Sequence, residues 1–147
     1  MDNQRRSREI LDLQIRYGGT LNRITTRSLI RGEDSLLLWL DGQEGEVFPT
    51  DIMRHFCLSS GRVANILKSA QKKNLIRRHQ SGEDLRKNCI MITTEGKAYA
   101  HSCRSRVLQA QEEMLACLTP KDADALVNAF RELLLHYSAD ESSSSGF

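Results

Sequence analysis

At 147 residues the chain has the length of one domain and is too short for two independent cores. Hydrophobic residues at 39% and charged residues at 27% are ordinary for a globular protein, while an aromatic share of 5% and only two prolines favour helices over a β-sandwich. The formal net charge of +2 excludes neither acidic nor basic partners, so the distribution of charge has to decide.

Residues 5–30 carry Ile10, Leu13, Tyr17, Leu21 and Ile24 at spacings of three and four, which predicts an N-terminal amphipathic helix. Gly18-Gly19 inside it costs helix propensity, about 1 kcal/mol per glycine, and predicts a kink or a close backbone approach there. The run SLLLWL at 35–40 is apolar all round and predicts a short buried helix. Gly42 and Gly45 mark a loop, Val47-Phe48 suits a brief strand, and Pro49-Thr50 opens a helix whose apolar face is Ile52, Met53 and Phe56.

Cys57-Leu58 leaves room for a turn only, and Ser59 is a good N-cap for a helix over 60–73. Two short helices joined in this way predict a helix-turn-helix. In the second of them Val63, Ile66, Leu67 and Ala70 follow the i, i+3, i+4, i+7 rule and point inward. The opposite side then displays Gly61, Asn65, Lys68 and Lys72, flanked by Arg62 and Ser69, on a cylinder of the diameter a DNA major groove accepts. Asn74 suits the left-handed cap that ends the helix.

LIRRH at 75–79 and NCIMIT at 88–93 are β-prone runs around Ser81-Gly82, and predict an antiparallel hairpin. Thr93 caps a long helix from about Thr94 to Cys117, and Thr119-Pro120 opens a last one carrying Leu126, Phe130, Leu133, Leu134 and Tyr137. After Ser138 the tail ADESSSSGF has almost nothing to bury, so residues 138–147 are expected to be disordered.

Residues 59–88 hold eight basic side chains against Glu83 and Asp84, a local charge of +6 that leaves the remainder of the chain at −4. One positive patch on an otherwise acidic molecule is the pattern of a nucleic-acid footprint; a solvated Lys/Arg surface is the competing reading. No run approaches the roughly 18 apolar residues of a membrane span. The start MDNQRRSREI lacks the apolar core of a secretory signal, so a cytoplasmic protein without a membrane partner is expected. Cys57, Cys89, Cys103 and Cys117 are scattered, with no CxxC and no histidine at finger spacing, so no metal site and no cofactor are expected. His101-Ser102-Cys103 offers two metal ligands or a redox thiol, although a helical cysteine more often serves as small core filling.

The chain resembles the multiple-antibiotic-resistance regulator (MarR) family of bacterial winged-helix transcription factors. Four stretches carry the likeness: PTDIMRHFCLSSGRVANILKSAQKKNLI, EDLRK, MITTEGKA and LTPKDADAL, together covering residues 49–126. The Asp84-Leu85-Arg86 step matches the family's Asp-x-Arg in the wing, which implies that Arg86 reaches a minor groove and Asp84 helps to hold the wing. The chain departs from the pattern at Cys57, where the inter-helix turn usually has glycine, and at Met53, Ala70 and Asn74.

The fold so implied is mainly α, an α+β winged helix of about six helices with a two- to three-stranded β-wing. Its single domain spans 1–137, with a winged helix-turn-helix lobe over about 35–93 and dimerisation helices over about 5–30 and 94–137. The function implied is a regulator, a repressor, that binds a pseudo-palindromic duplex-DNA operator as a homodimer. Ser60, Gly61, Arg62 and Asn65 would read bases. Ser59, Lys68, Ser69, Lys72, Lys73, Arg77 and Lys87 would meet the DNA backbone. Relatives respond to phenolic compounds, peroxide or metal ions. No cysteine lies in the first helix and only Glu33, Asp34, Asp41 and Glu44 offer carboxylates near 20–45, so a small aromatic or anionic effector is the expectation here. A winged helix used for protein or RNA binding, or a thiol or metal enzyme built on His55, His101, Cys103 or His136, are the alternatives; no nucleophile elbow, phosphate loop or HExxH supports the enzyme.

Overall fold

A computed structural model describes residues 2–82 and 88–144, with side chains as far as Ser138. Two compact units divide the chain, Met1–Ala110 and Gln111–Phe147.

In the first unit, α1 (Asn3–Arg16) is capped by Asp2, whose carboxylate accepts from the Arg5 N–H at 2.8 Å. Tyr17 leaves helical geometry at φ −116°, ψ 25°, and α2 (Gly18–Ser28) follows at once. The helix expected over 5–30 is thus two helices, broken at Tyr17 immediately ahead of the glycine pair, whose low helix propensity makes a continuous helix least favourable there. α3 (Gly32–Asp41) holds SLLLWL and buries Leu36, Leu37 and Leu40.

α4 (Pro49–Phe56) starts with its Asp51 carboxylate accepting from the Phe48 N–H at 2.8 Å and drives Ile52 into the core. α5 (Ser60–Lys72) buries Val63, Leu67 and Ala70, as its spacing predicts, with Ile66 half-buried beside them. The core is therefore one cluster in which α3, α4, α5 and the start of the hairpin meet, joined by Tyr99 and Ala100. Burying a leucine of this kind contributes about 1.5–3 kcal/mol.

Between α4 and α5 the turn is made at Cys57, whose φ of 50° lies in the left-handed region. Side chains with a Cβ are strained there by about 1–2 kcal/mol, which is why glycine is usual. Cys57→Gly is accordingly expected to raise stability by about 1 kcal/mol, read as a higher midpoint in urea unfolding. Asn74, at φ 58°, is the other non-glycine in this region among the described residues, and its amide tolerates the geometry.

β1 (Ile76–Gln80) and β2 (Asn88–Ile92) pair antiparallel, with His79 opposite Cys89 and Arg78 opposite Ile90. A single bridge from Val47 to Ile90 adds the edge expected of Val47-Phe48. The strands are the base of the wing; Glu83, Asp84, Leu85, Arg86 and Lys87 lie outside the described residues.

α6 (Thr94–Leu115) is capped as expected by Thr93, whose hydroxyl donates to the Asn74 carbonyl at 2.7 Å and accepts from the Gly96 N–H at 2.9 Å. In the second unit, Thr119 caps α7 (Pro120–Ser144), accepting from the Asp122 N–H at 3.2 Å. This helix continues past Ser138 into the tail expected to be disordered, because no glycine or proline interrupts it before Gly146.

Candidate nucleic-acid interface

The Ser59 hydroxyl accepts from the Arg62 N–H at 3.3 Å and so fixes where α5 begins. With Val63, Leu67 and Ala70 committed to the core, a helix of 3.6 residues per turn has no choice about its other side. Ser60, Gly61, Arg62, Asn65, Lys68, Ser69 and Lys72 are all exposed. A Cβ on Gly61 would meet nothing within 4 Å, so nothing inside the chain requires glycine there. A bare backbone at the N-terminal end of an exposed helix, followed by a guanidinium and an amide, suits the close approach of an external partner.

α4 packs against α5 through the shared core, and an aromatic group joins α4 to α3. His55 stacks on Trp39 at 4.6 Å between ring centroids, and Phe56 meets both edge-on, at 5.7 Å from Trp39 and 4.7 Å from His55. This ties α3 to α4. Arg77 and Arg78 are exposed on β1, continuing the positive surface towards the wing.

Lys73 stands apart from the other lysines. Its ammonium donates to the Glu33 carboxylate at 2.7 Å, a contact that raises its pKa above the ordinary lysine value. Its charge is thus already engaged with α3. Asp34, next in the chain, accepts from the Tyr99 hydroxyl at 2.8 Å and lies 3.5 Å from the Arg106 guanidinium. The Asp34 hydrogen bond pushes the Tyr99 phenol up, with burial adding to it. Burial likewise raises the Cys103 thiol, which makes it core filling rather than a poised nucleophile.

One constellation that no spacing in the sequence announces sits at the base of the wing. Glu46, His79 and Cys89 place a carboxylate, an imidazole and a thiol within 4.8 Å of one another. The Glu46 carboxylate accepts from the Ser81 hydroxyl at 2.6 Å and the Gly82 N–H at 2.9 Å, and the first of these chiefly holds its pKa below the usual carboxylate range. Burial, then the Glu46 charge, pushes the Cys89 thiol up. Only the pairing register of β1 and β2 brings His79 and Cys89 face to face, so the cluster is invisible until the hairpin is built.

No family model and no curated protein matches the chain. Solved structures do. The transcriptional regulator BldR from Sulfolobus solfataricus aligns with a TM-score of 0.66 at 15% identity, covering 92% of this chain and 99% of BldR. A cysteine mutant of MarR from E. coli aligns at 0.63 and 19% identity over 87% and 95%, and MepR from S. aureus in complex with DNA at 0.62 and 18% over 92% and 98%. The chain has the MarR winged-helix fold. In that fold α4 and α5 are the helix-turn-helix and β1–β2 the wing, which is the assignment the sequence motifs imply. The described residues contain no helix long and apolar enough to cross a membrane.

Proposed function

We propose that the chain is a sequence-specific duplex-DNA-binding transcriptional regulator, a repressor rather than an enzyme, that acts as a homodimer on a pseudo-palindromic operator. The observation that carries this reading is the exposed polar and basic row on α5, bounded by a capped start at Ser59 and braced by α4, on a fold that also occurs in a protein bound to DNA. Ser60, Gly61, Arg62 and Asn65 lie at the end of α5 that presents side chains to base edges, where arginine forks onto guanine and asparagine onto adenine. Ser59, Lys68, Ser69, Lys72 and Arg77 meet phosphates, with Lys87 from the wing. Lys73 contributes less, since Glu33 competes for it. Arg86 reaches the minor groove, and Asp84 helps to hold the wing.

The homodimer is supported by apolar side chains that stay in water. Ile10, Leu13, Ile15, Tyr17 and Leu21 on α1 and α2 are exposed, and so are Phe130, Leu133, Leu134, Leu135 and Tyr137 on α7. Rows of this size on a single chain mark an interface. Two-fold symmetry then sets half-sites about 34 Å apart, one turn of duplex. A groove of about 280 Å³ beside α2, α3 and α6, lined by Thr26, Arg27, Leu29, Asp34, Arg106 and Val107, is the place for a small aromatic or anionic effector. Arg27 and Arg106 against Asp34 leave this lining with a net positive charge, which favours an anion.

The test begins by selecting bound sequences from a random duplex pool, then measures isotherms on the selected operator and on random duplex at several salt concentrations. Asn65→Ala or Arg62→Ala should cost about 1–3 kcal/mol on the operator and much less on random duplex. Lys72→Ala should weaken both alike and lower the salt slope by about one unit. Equal losses on both duplexes from Asn65→Ala and Arg62→Ala would mean that α5 does not read sequence. A flat salt response would turn the reading towards a protein-binding winged helix.

A further inference from the structure

We propose that Glu46, His79 and Cys89 form a binding site for a borderline divalent transition-metal ion of the zinc or cobalt class, fastened across the base of the wing. The three residues come from three separate segments. His79 and Cys89 are opposite one another on β1 and β2. Glu46 precedes Val47, whose carbonyl accepts from the Ile90 N–H at 2.7 Å; because neighbouring side chains in extended chain alternate, Val47 entering the core sends Glu46 to the face that carries Cys89.

Distances favour coordination. The Cys89 sulfur lies 2.9 Å from His79 Nε2, 3.4 Å from His79 Nδ1 and 3.9 Å from Glu46 Oε1. A tetrahedral ion with a metal–sulfur bond of about 2.3 Å and a metal–nitrogen bond of about 2.0–2.1 Å separates those two ligands by about 3.5 Å. A small turn of the exposed imidazole therefore suffices. The donor set also selects the ion: thiolate and imidazole favour zinc, cobalt and their neighbours over magnesium or calcium, which take oxygen.

Ligands need support from behind, and Glu46 has it, since the buried Ser81 hydroxyl and the Gly82 N–H hold its carboxylate. Cys89 is 0% exposed, so its sulfur is fixed by packing rather than free to sample rotamers. On the open side Glu46 and His79 line a groove of about 450 Å³ together with Glu44, Met91 and Lys97, which leaves a fourth position for water. Coordination through Cys89 releases its thiol proton to solvent. The bound ion would cross-link the loop ahead of α4 to both strands of the wing, through three side chains that the DNA-reading assignment does not use.

Cobalt(II) titrated into the reduced full-length protein tests the site without any DNA, so its outcome is independent of the regulator reading. Expected are one ion per chain, a sulfur-to-cobalt charge-transfer band in the near ultraviolet and visible bands of tetrahedral intensity, unaffected by excess magnesium. Ser81→Ala, which removes a support and not a ligand, should weaken binding about 10- to 100-fold. His79→Gln, on an exposed side chain that the fold does not need, should weaken it by at least as much while circular dichroism stays unchanged. Cys89→Ser should abolish the charge-transfer band. No such band at stoichiometric cobalt, wild-type affinity in His79→Gln, or a band that survives Cys89→Ser would overturn the proposal.

Discussion

A chain ending at Leu118 is expected to remain folded, to lose the proposed dimer, and to bind the selected operator about 100- to 10,000-fold more weakly. Folding should survive because the buried cluster, from Leu36 to Ala100, lies wholly within the unit Met1–Ala110. What the truncation removes is α7, whose Leu126, Val127, Phe130, Leu133, Leu134 and Leu135 are exposed on the single chain. On the proposed homodimer, the loss in affinity follows from turning a two-headed reader into a one-headed one, which forfeits the effective concentration of the second half-site. Sedimentation velocity reports the oligomer, circular dichroism the fold, and an isotherm on the selected operator the affinity. Phe130→Glu combined with Leu134→Glu should give the same monomer from the full-length chain, by forcing charge into the contact. A truncated chain that still sediments as a dimer would remove α7 from the interface.

Gly96→Ala is expected to destabilise the protein by about 1–3 kcal/mol, whereas Gly19→Ala should stabilise it by about 0.5–1 kcal/mol. Both glycines are helical, so propensity alone predicts a gain at each. At Gly96 a Cβ would fall on the Leu75 carbonyl oxygen and 2.7 Å from the Ile92 side chain. That carbonyl accepts from the Thr93 N–H at 3.0 Å, and the Asn74 carbonyl before it accepts from the Thr93 hydroxyl, so the segment cannot retreat without giving up both bonds. At Gly19 a Cβ would meet nothing within 4 Å. Urea midpoints measured side by side decide it: a gain at Gly96 would mean that the approach of α6 to Leu75 is looser than this packing requires. Because Leu75 leads directly into β1, the damage should extend to the wing and lower DNA affinity as well.

Much of this architecture was legible before any coordinates. Local rules place α3, α4, α5, β1, β2, α6 and α7, since each is announced by a cap, a turn residue or an apolar spacing that acts within a few residues: Ser59 ahead of α5, Thr93 ahead of α6, Asn74 just past the end of α5. The outward face of α5 was legible for the same reason. Once Val63, Leu67 and Ala70 are inside, helical geometry leaves Arg62, Asn65, Lys68 and Lys72 outside. The departure at Cys57 was also visible, and the structure shows its consequence as a left-handed residue bearing a side chain.

What the amino-acid order determined by itself, then, is the succession of elements, the inward row of α5 and the basic run beside it, because these depend on neighbours three or four residues apart. Only the tertiary structure decided which charges are already taken and which side chains meet. Lys73 counts as a free cation until α3 and α5 pack and bring Glu33, 40 residues away in sequence, to 2.7 Å. Glu46, His79 and Cys89 look like three unrelated residues until the β1–β2 register and the Val47 bridge set them together. A one-residue slip of that register would turn Cys89 to the other face of the sheet and dissolve the cluster, and no local signal in the chain encodes the register.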